Sequence, residues 1–235
     1  MIDIHSHILP GIDDGARTLA ESVELVRELY QQGVTDIIAT PHYIEETIFT
    51  SPRVDNANLL VALKQKLVEE GIKARIYLGN EIYINGNVAE LIEASEISTL
   101  ADSKYLLLEV PMNGEYPNYE DFLGDLMERG YKVILAHPER YSIVQENYEI
   151  AQNLREMGIL FQCNLGSVVG KYGKEAQKLV KKLAKDKMIF TFGTDAHHLG
   201  RNSYLNLAKK KLLKYYTESE LKQLLVTNPA QILLK

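Results

Sequence analysis

Residues 128–140 read ERGYKVILAHPER. Glu128 and Arg129 close a polar helix end, and Gly130 is the residue that a helix leaves in the left-handed conformation at low cost. KVILA then runs apolar on both faces, too short for a helix and right for a buried strand. It stops at His137-Pro138, where proline ends the ladder. A helix, a glycine, a buried strand and an ionisable side chain at the strand's carboxyl end form one repeating unit.

The same punctuation recurs in QQGV at Gly33, EEGI at Gly71 and EMGI at Gly158. Strand candidates are MIDIHSH (1–7), VTDIIATPH (34–42), ARIYLGNEI (74–82), YLLLEVP (105–111), KVILAHP (132–138), ILFQCNLGS (159–167) and MIFTFGTDAH (188–197). Amphipathic helices lie between most of them. The first carries Leu19, Val23, Val26, Leu29 and Tyr30 on one stripe, and Thr18-x-x-Glu21 and Thr217-x-x-Glu220 read as capping boxes. Strands alternating with helices through short turns imply parallel pairing by right-handed crossovers. Seven such units without a linker predict one barrel-like α/β domain over residues 1–235, with an open doubly wound sheet as the alternative. No GxGxxG or Walker A loop supports nucleotide binding.

Composition narrows the function. The 235 residues carry 26 Lys and Arg against 32 Asp and Glu, a net charge of −6 that argues against a nucleic-acid backbone binder. The short Lys-rich stretch at 208–214 reads as the wet face of a helix. No apolar run reaches the ~20 residues of a membrane span, and the first residues do not form a signal peptide. A single cysteine, Cys163, excludes an internal disulfide framework and suits a reducing, cytoplasmic setting.

All six histidines fall at or just beyond a strand's carboxyl end: His5 and His7, His42, His137, and His197 with His198. Glu81, Glu109 and Asp195 do the same, and Asp13 and Asp14 lie in the first loop after a strand. Any one of these residues reads most simply as solvated or hydrogen-bonded. Together they converge on the face where α/β barrels place their active sites. His5 and His7, two apart on a strand and about 7 Å between Cα atoms, point to the same side and can share one divalent ion. So many histidines and carboxylates exceed the needs of one ion and fit two or three metals about 3.5–4 Å apart. Nitrogen and oxygen ligation without thiolate suits Mn, Fe or Zn. Such a centre suggests hydrolysis, and Arg140 and Arg201 on the same rim could bind phosphate oxygens. A cysteine phosphatase is excluded, because the position that Cys-x5-Arg would give to arginine holds Val169; Cys163 reads as core packing.

At these residues the chain resembles the PHP superfamily, and within it the manganese-dependent bacterial tyrosine-protein phosphatases of the CpsB/CapC type, encoded in capsule and exopolysaccharide loci. MIDIHSHILPGIDDG, IIATPHY, GNEIY, LLLEVP, LAHPERY and GTDAHHLGR carry the resemblance, in order, over residues 1 to about 205. It implies a distorted seven-stranded (β/α)7 TIM-like barrel with a trinuclear site. One metal would take His5, His7, Glu81 and Asp195, a second Glu81, Glu109 and His137, and a third Asp14, His42 and His197. Asp14 rather than Asp13 follows from the resemblance alone. Arg140 and Arg201 would bind the phosphoryl group of a phosphotyrosine protein, implied to be an autophosphorylating tyrosine kinase. His198 is a candidate proton donor, and the long loop 43–53 is expected to shape a peptide groove or to pack on the surface. A small-molecule phosphoesterase resembling histidinol-phosphate phosphatase is the alternative. An amidohydrolase fits less well, since those barrels place a lysine where this chain has Glu109. A non-catalytic metal-binding scaffold fits poorly with a complete ligand set. Oligomeric state is not legible.

Overall fold

In a computed structural model, the described residues are 1–84, 86–113, 119–200, 202 and 204–234. They form a mixed α/β fold around a curled, wholly parallel sheet. Its strands are β1 (Ile2–Asp3), β2 (Asp36–Ala39), β3 (His42–Tyr43), β4 (Arg75–Leu78), β5 (Glu81–Tyr83), β6 (Tyr105–Glu109), β7 (Lys132–Ala136), β8 (Leu160–Asn164) and β9 (Thr191–Gly193). They pair in two ladders, β1-β2-β4 and β3-β5-β6-β7-β8-β9.

Two expected strands are therefore each split in two. Pro41 has no N–H to donate and interrupts 34–42 between β2 and β3. Gly79-Asn80 interrupts 74–82, where the Asn80 amide donates to the Pro41 carbonyl at 3.1 Å and its oxygen accepts from Ser98 N at 2.9 Å. Single backbone bonds continue across the breaks, from Gly79 N to Ala39 O and from Glu81 N to Pro41 O. The first expected strand keeps a regular ladder only at Ile2–Asp3. Beyond it, Ser6 bridges Ala196, and His7 N donates to Ala196 O at 2.9 Å, joining the first segment of the chain to the last strand.

The sheet is apolar on both faces because both are covered. Leu106, Leu108, Val133, Leu135 and Phe192 pack outward among the helices. Leu107, Ile134 and Ala136, at the alternate positions, join Ile2, Ile4 and Ile38 in a smaller inner cluster. Helix Asn228–Leu233 closes that cluster at the strands' amino ends. Ile232 is fully buried in it, and the Asn228 amide donates to Phe190 O at 2.7 Å.

Local signals in the sequence read correctly in most places. Gly33, Gly71, Gly130 and Gly158 all sit at positive φ after helices. Thr217 and Glu220 form a full capping box, but Thr18 forms half of one: its hydroxyl accepts from Glu21 N, while the Glu21 carboxylate takes Arg17 N instead. The expected strand 159–167 ends at Asn164, and Leu165–Val169 turns into a short helix. Glu139 drives that turn, its buried carboxylate accepting from Asn164 N at 2.9 Å and from Ser167 Oγ at 2.7 Å. Cys163 is buried in the outer core as expected.

Candidate metal centre

The carboxyl ends of the strands bring ten of the eleven expected residues onto one rim, the nine histidines and carboxylates together with Arg140. Glu81 stands at its centre. Its Oε2 lies 3.1 Å from His5 Nε2, 3.2 Å from His7 Nε2 and 3.1 Å from His42 Nδ1, while Oε1 lies 2.9 Å from His137 Nε2. Glu109 flanks this pair, 3.8 Å from His42 Nδ1 and 3.7 Å from His137 Nε2. Asp14, at the solvent side, faces His42 Nε2 at 3.5 Å and His197 Nε2 at 3.4 Å. Asp195 Oδ1 lies 3.6 Å from both His5 Nε2 and His7 Nε2 and 3.3 Å from His197 Nδ1.

Backbone strain helps to aim these groups. His137, just after β7, and Asp195, two residues after β9, sit at φ +34° and +50°, a region costly for residues with a Cβ. Gly15 serves the first loop differently. A Cβ there would lie 2.1 Å from the His7 carbonyl oxygen, so only glycine lets the loop fold back over the strand.

These residues fit a metal. Donors bound to one ion at about 2.1 Å sit about 3.0–3.4 Å apart. The Nε2 atoms of His5 and His7 are 3.3 Å apart, and each lies within that range of Glu81 Oε2. Glu81 Oε2 and His42 Nδ1 are buried with no hydrogen bond of their own. Three groups with mutually compatible donor atoms emerge: His7, Asp14, His42 and His197; His5, His7 and Glu81; and His42, Glu81 and Glu109. His7 and His42 thus each belong to two groups, where the resemblance assigned each to one.

The electrostatics describe a site holding charge that waits for a counter-charge. Burial opposes charging His5, yet Glu81 and Asp195 hold its imidazole up at about 9. Burial, reinforced by the Glu81 charge, pushes Glu109 up to about 9. Burial, helped by the neighbouring His7 charge and opposed by Glu81, pulls His42 down to about 4. Asp14, hydrogen-bonded to His197, is held down at about 2.

Arg140 donates to Asp195 Oδ2 at 3.0 Å and stacks over the Tyr172 ring at 4.5 Å. It lines a cleft of about 260 Å³ together with Met112, Lys171, Tyr172 and His198, which opens onto the rim. Arg201 lies outside the described residues. Loop 43–53 is tied by its own hydrogen bonds, Thr47 and Thr50 both donating to Ile44 O, and holds the Phe49 ring 5.9 Å from His42.

Three residues with clear places in the site carried no assignment in the sequence. Asp13 accepts from His7 Nδ1 at 2.8 Å and from His42 N at 3.1 Å, turning away from the rim centre that Asp14 faces. Gln162 and Asn164 stand behind His5 and Asp195. Their one legible signal was two amides at alternate positions of an otherwise apolar strand.

A curled parallel sheet whose carboxyl-terminal rim gathers histidines and carboxylates around one central glutamate is the build of an α/β protein with a metal site. The sequence matches the family described as capsular polysaccharide synthesis, CpsB/CapC, over residues 1–234. It is 34% identical to the tyrosine-protein phosphatase YwqE of Bacillus subtilis, covering 100% of this chain and 92% of that one. It is 32% identical to the tyrosine-protein phosphatase CpsB of Streptococcus pneumoniae, covering 100% and 98%. The solved structure of YwqE and CpsB, described as unique metal-dependent tyrosine phosphatases, superposes with a TM-score of 0.92 at 33% identity, covering 100% of this chain and 94% of that one. A phosphotriesterase homology protein of Escherichia coli shares the fold at a TM-score of 0.60 and 13% identity. The chain belongs to the CpsB/CapC family.

Proposed function

We propose that this chain is a metal-dependent protein-tyrosine phosphatase, opposing a bacterial tyrosine kinase of capsule or exopolysaccharide synthesis in the cytoplasm. The observation that carries the reading is Glu81, one buried carboxylate faced by four imidazoles at 2.9–3.2 Å. Kinship with named tyrosine phosphatases over the whole chain supports it. Among the described residues no helix is long and apolar enough to cross a membrane.

The metals are manganese in this reading, with iron or zinc as the other chemically suitable ions. His5, His7, Glu81 and Asp195 would hold one, Glu81, Glu109 and His137 a second, and Asp14, His42 and His197 a third. Bound there, they supply a nucleophilic water at neutral pH and neutralise phosphoryl charge. Arg140 presents the guanidinium edge not engaged by Asp195 to the phosphoryl oxygens, and Arg201 is proposed to assist it. Tyr172 and Asp195 hold the Arg140 side chain in place before substrate arrives, so little ordering remains on binding. A phenolate leaves with a pKa near 10, so little general-acid help is required.

The fold reading is proposed in its finer form as well. β2 with β3, and β4 with β5, count as two interrupted strands, and the bonds from His7 N to Ala196 O and from Asp195 N to His5 O close a distorted seven-stranded (β/α)7 barrel. The barrel is one domain over residues 1–235.

The test is phosphate release from phosphotyrosine peptides by the chain reconstituted with Mn2+, with and without excess thiol alkylating agent. Turnover that needs the metal and survives alkylation is expected. Turnover confined to histidinol phosphate, or independent of metal, overturns the reading.

A further inference from the structure

Behind the rim stand two fully buried amides that the proposed reaction does not use. Gln162 and Asn164 occupy alternate positions of β8. Amides in a strand interior are costly unless every polar atom finds a partner. Here they find one another in single file. Gln162 Oε1 lies 2.7 Å from His5 Nδ1, Gln162 Nε2 donates to Asn164 Oδ1 at 2.8 Å, and Asn164 Nδ2 donates to Asp195 Oδ2 at 2.7 Å.

This file has a direction, and Asp195 sets it. Its Oδ2 also accepts from Arg140 at 3.0 Å and from Tyr172 at 3.2 Å, so it is an acceptor and nothing else. Asn164 must then turn its NH2 toward Asp195 and its oxygen toward Gln162. Gln162 must turn its NH2 toward Asn164 and its oxygen toward His5. Its partner in that last contact can only donate, so His5 keeps a proton on Nδ1, and the neutral ring that binds a metal offers the lone pair of Nε2. With three donors on Oδ2, Asp195 has Oδ1 left for the centre, where it faces both Nε2 atoms.

We propose that Gln162 and Asn164 are positioning residues that preset two donors of the metal centre at once: the tautomer of His5 and the free oxygen of Asp195. This rests on the metal-centre reading above. The backbone is shaped around the relay. Gly193 pairs with Asn164 in register, and a Cβ there would lie 2.8 Å from Gln162 Nε2 and 3.0 Å from His5 Cβ. His7 is set in the same sense by a different device, the Asp13 carboxylate on its Nδ1. In the neutral forms that bind a metal, the two Nε2 lone pairs therefore face the same point.

The experiment uses the full chain stripped with chelator and titrated with Mn2+ by calorimetry, beside Gln162→Leu, Asn164→Leu and Gln162→Glu. Loss of partners one step behind metal ligands weakens binding about 10–100-fold, and that loss is expected at the tightest site for both leucine variants. Gln162→Glu still accepts from His5 Nδ1 and is expected to recover affinity relative to Gln162→Leu. The double leucine variant is expected to lose less than the product of the two single losses, because the relay acts as one unit. A second measurement leaves the chain unaltered: nitrogen NMR of 15N-histidine-labelled, Zn2+-loaded protein, which reads the His5 tautomer directly. A proton on Nδ1 is expected. A proton on Nε2, or leucine variants that bind Mn2+ as the unaltered chain does, overturns the relay and leaves the metal centre standing. An unaltered chain that binds no divalent cation overturns the metal-centre reading itself. If the leucine variants do not fold, the tautomer measurement alone decides.

Discussion

The inner face of the sheet has two levels built from the same strands, and they obey opposite rules. At the floor, Ile2, Ile4, Ile38, Leu107 and Ile134 pack against Ile232 of the closing helix. Further toward the carboxyl ends of the same strands, the interior holds His5, His7, Glu81, Glu109 and Asp195, all of them below a tenth exposed. The floor gains free energy from burying carbon, about 25 cal/mol per Å². The rim buries charge, which costs free energy unless each group is paired. A chain that carries both levels on one set of strands has folded its site into the top of its core, where packing holds the donors still.

The sharpest break of this comparison comes at Glu81. Glu81→Gln keeps the shape and removes the charge shared by four imidazoles. Turnover is expected to fall below detection and metal content to drop, with circular dichroism of the chelator-stripped protein unchanged. Metal analysis alongside the activity assay checks both. Arg140→Ala comes next. It removes one preorganised donor to the phosphoryl group, a change that costs about 10²–10³-fold in kcat in comparable electrostatic sites. Metal content should remain intact; loss of metal would assign Arg140 to holding Asp195 rather than substrate. At the floor the expected pattern reverses. Leu107→Ala empties a fully buried site and should cost about 2–5 kcal/mol in denaturant unfolding, while Mn2+ affinity and kcat of the folded fraction stay within about twofold. If Leu107→Ala also weakened metal binding strongly, the two levels would be one cooperative unit and the distinction would fail.

The rim was legible in the sequence because strands expose their ends in a fixed way. Once KVILA is a strand, His137 must sit at its carboxyl end, and the same logic places His42, Glu109 and Asp195. The core was legible from short runs apolar on both faces, such as LLLEV and KVILA, though which face each leucine takes was not. What could not be read depends on contacts distant in sequence or on local backbone geometry. Asp13 and Asp14 are chemically identical neighbours, and only the fold-back of the loop over His7 separates them. Gln162 meets His5 across 157 positions of chain, and no periodicity signals such a pairing. The left-handed backbone at His137 and Asp195 is uncommon for any residue with a Cβ, and no local pattern in the sequence marks these two positions for it. The breaks at Pro41 and Gly79-Asn80 were visible as residues but not as breaks, because short apolar runs on both sides masked them.

The smallest expected effect concerns protons. In the metal-free protein, both His5 and Glu109 are held up at about 9, so both carry a proton at pH 7. A metal ligand must present a lone pair, so each must lose that proton when an ion binds. The sign follows directly. Binding releases protons, so the apparent affinity rises with pH from 7 toward 9 and levels off above it, as the stripped protein comes to lack those protons already. Calorimetry in two buffers of different ionisation enthalpy counts the protons released. Glu109→Gln should release fewer than the unaltered chain, and Leu107→Ala the same number, because the floor holds no titrating group that faces the ion. Equal release by Glu109→Gln and the unaltered chain would mean that Glu109 is already ionised before metal arrives. The negative charge on Glu81 would then be balanced by the histidines alone, and the buried carboxyl of Glu109 would not be a reserve donor protonated until an ion draws it in.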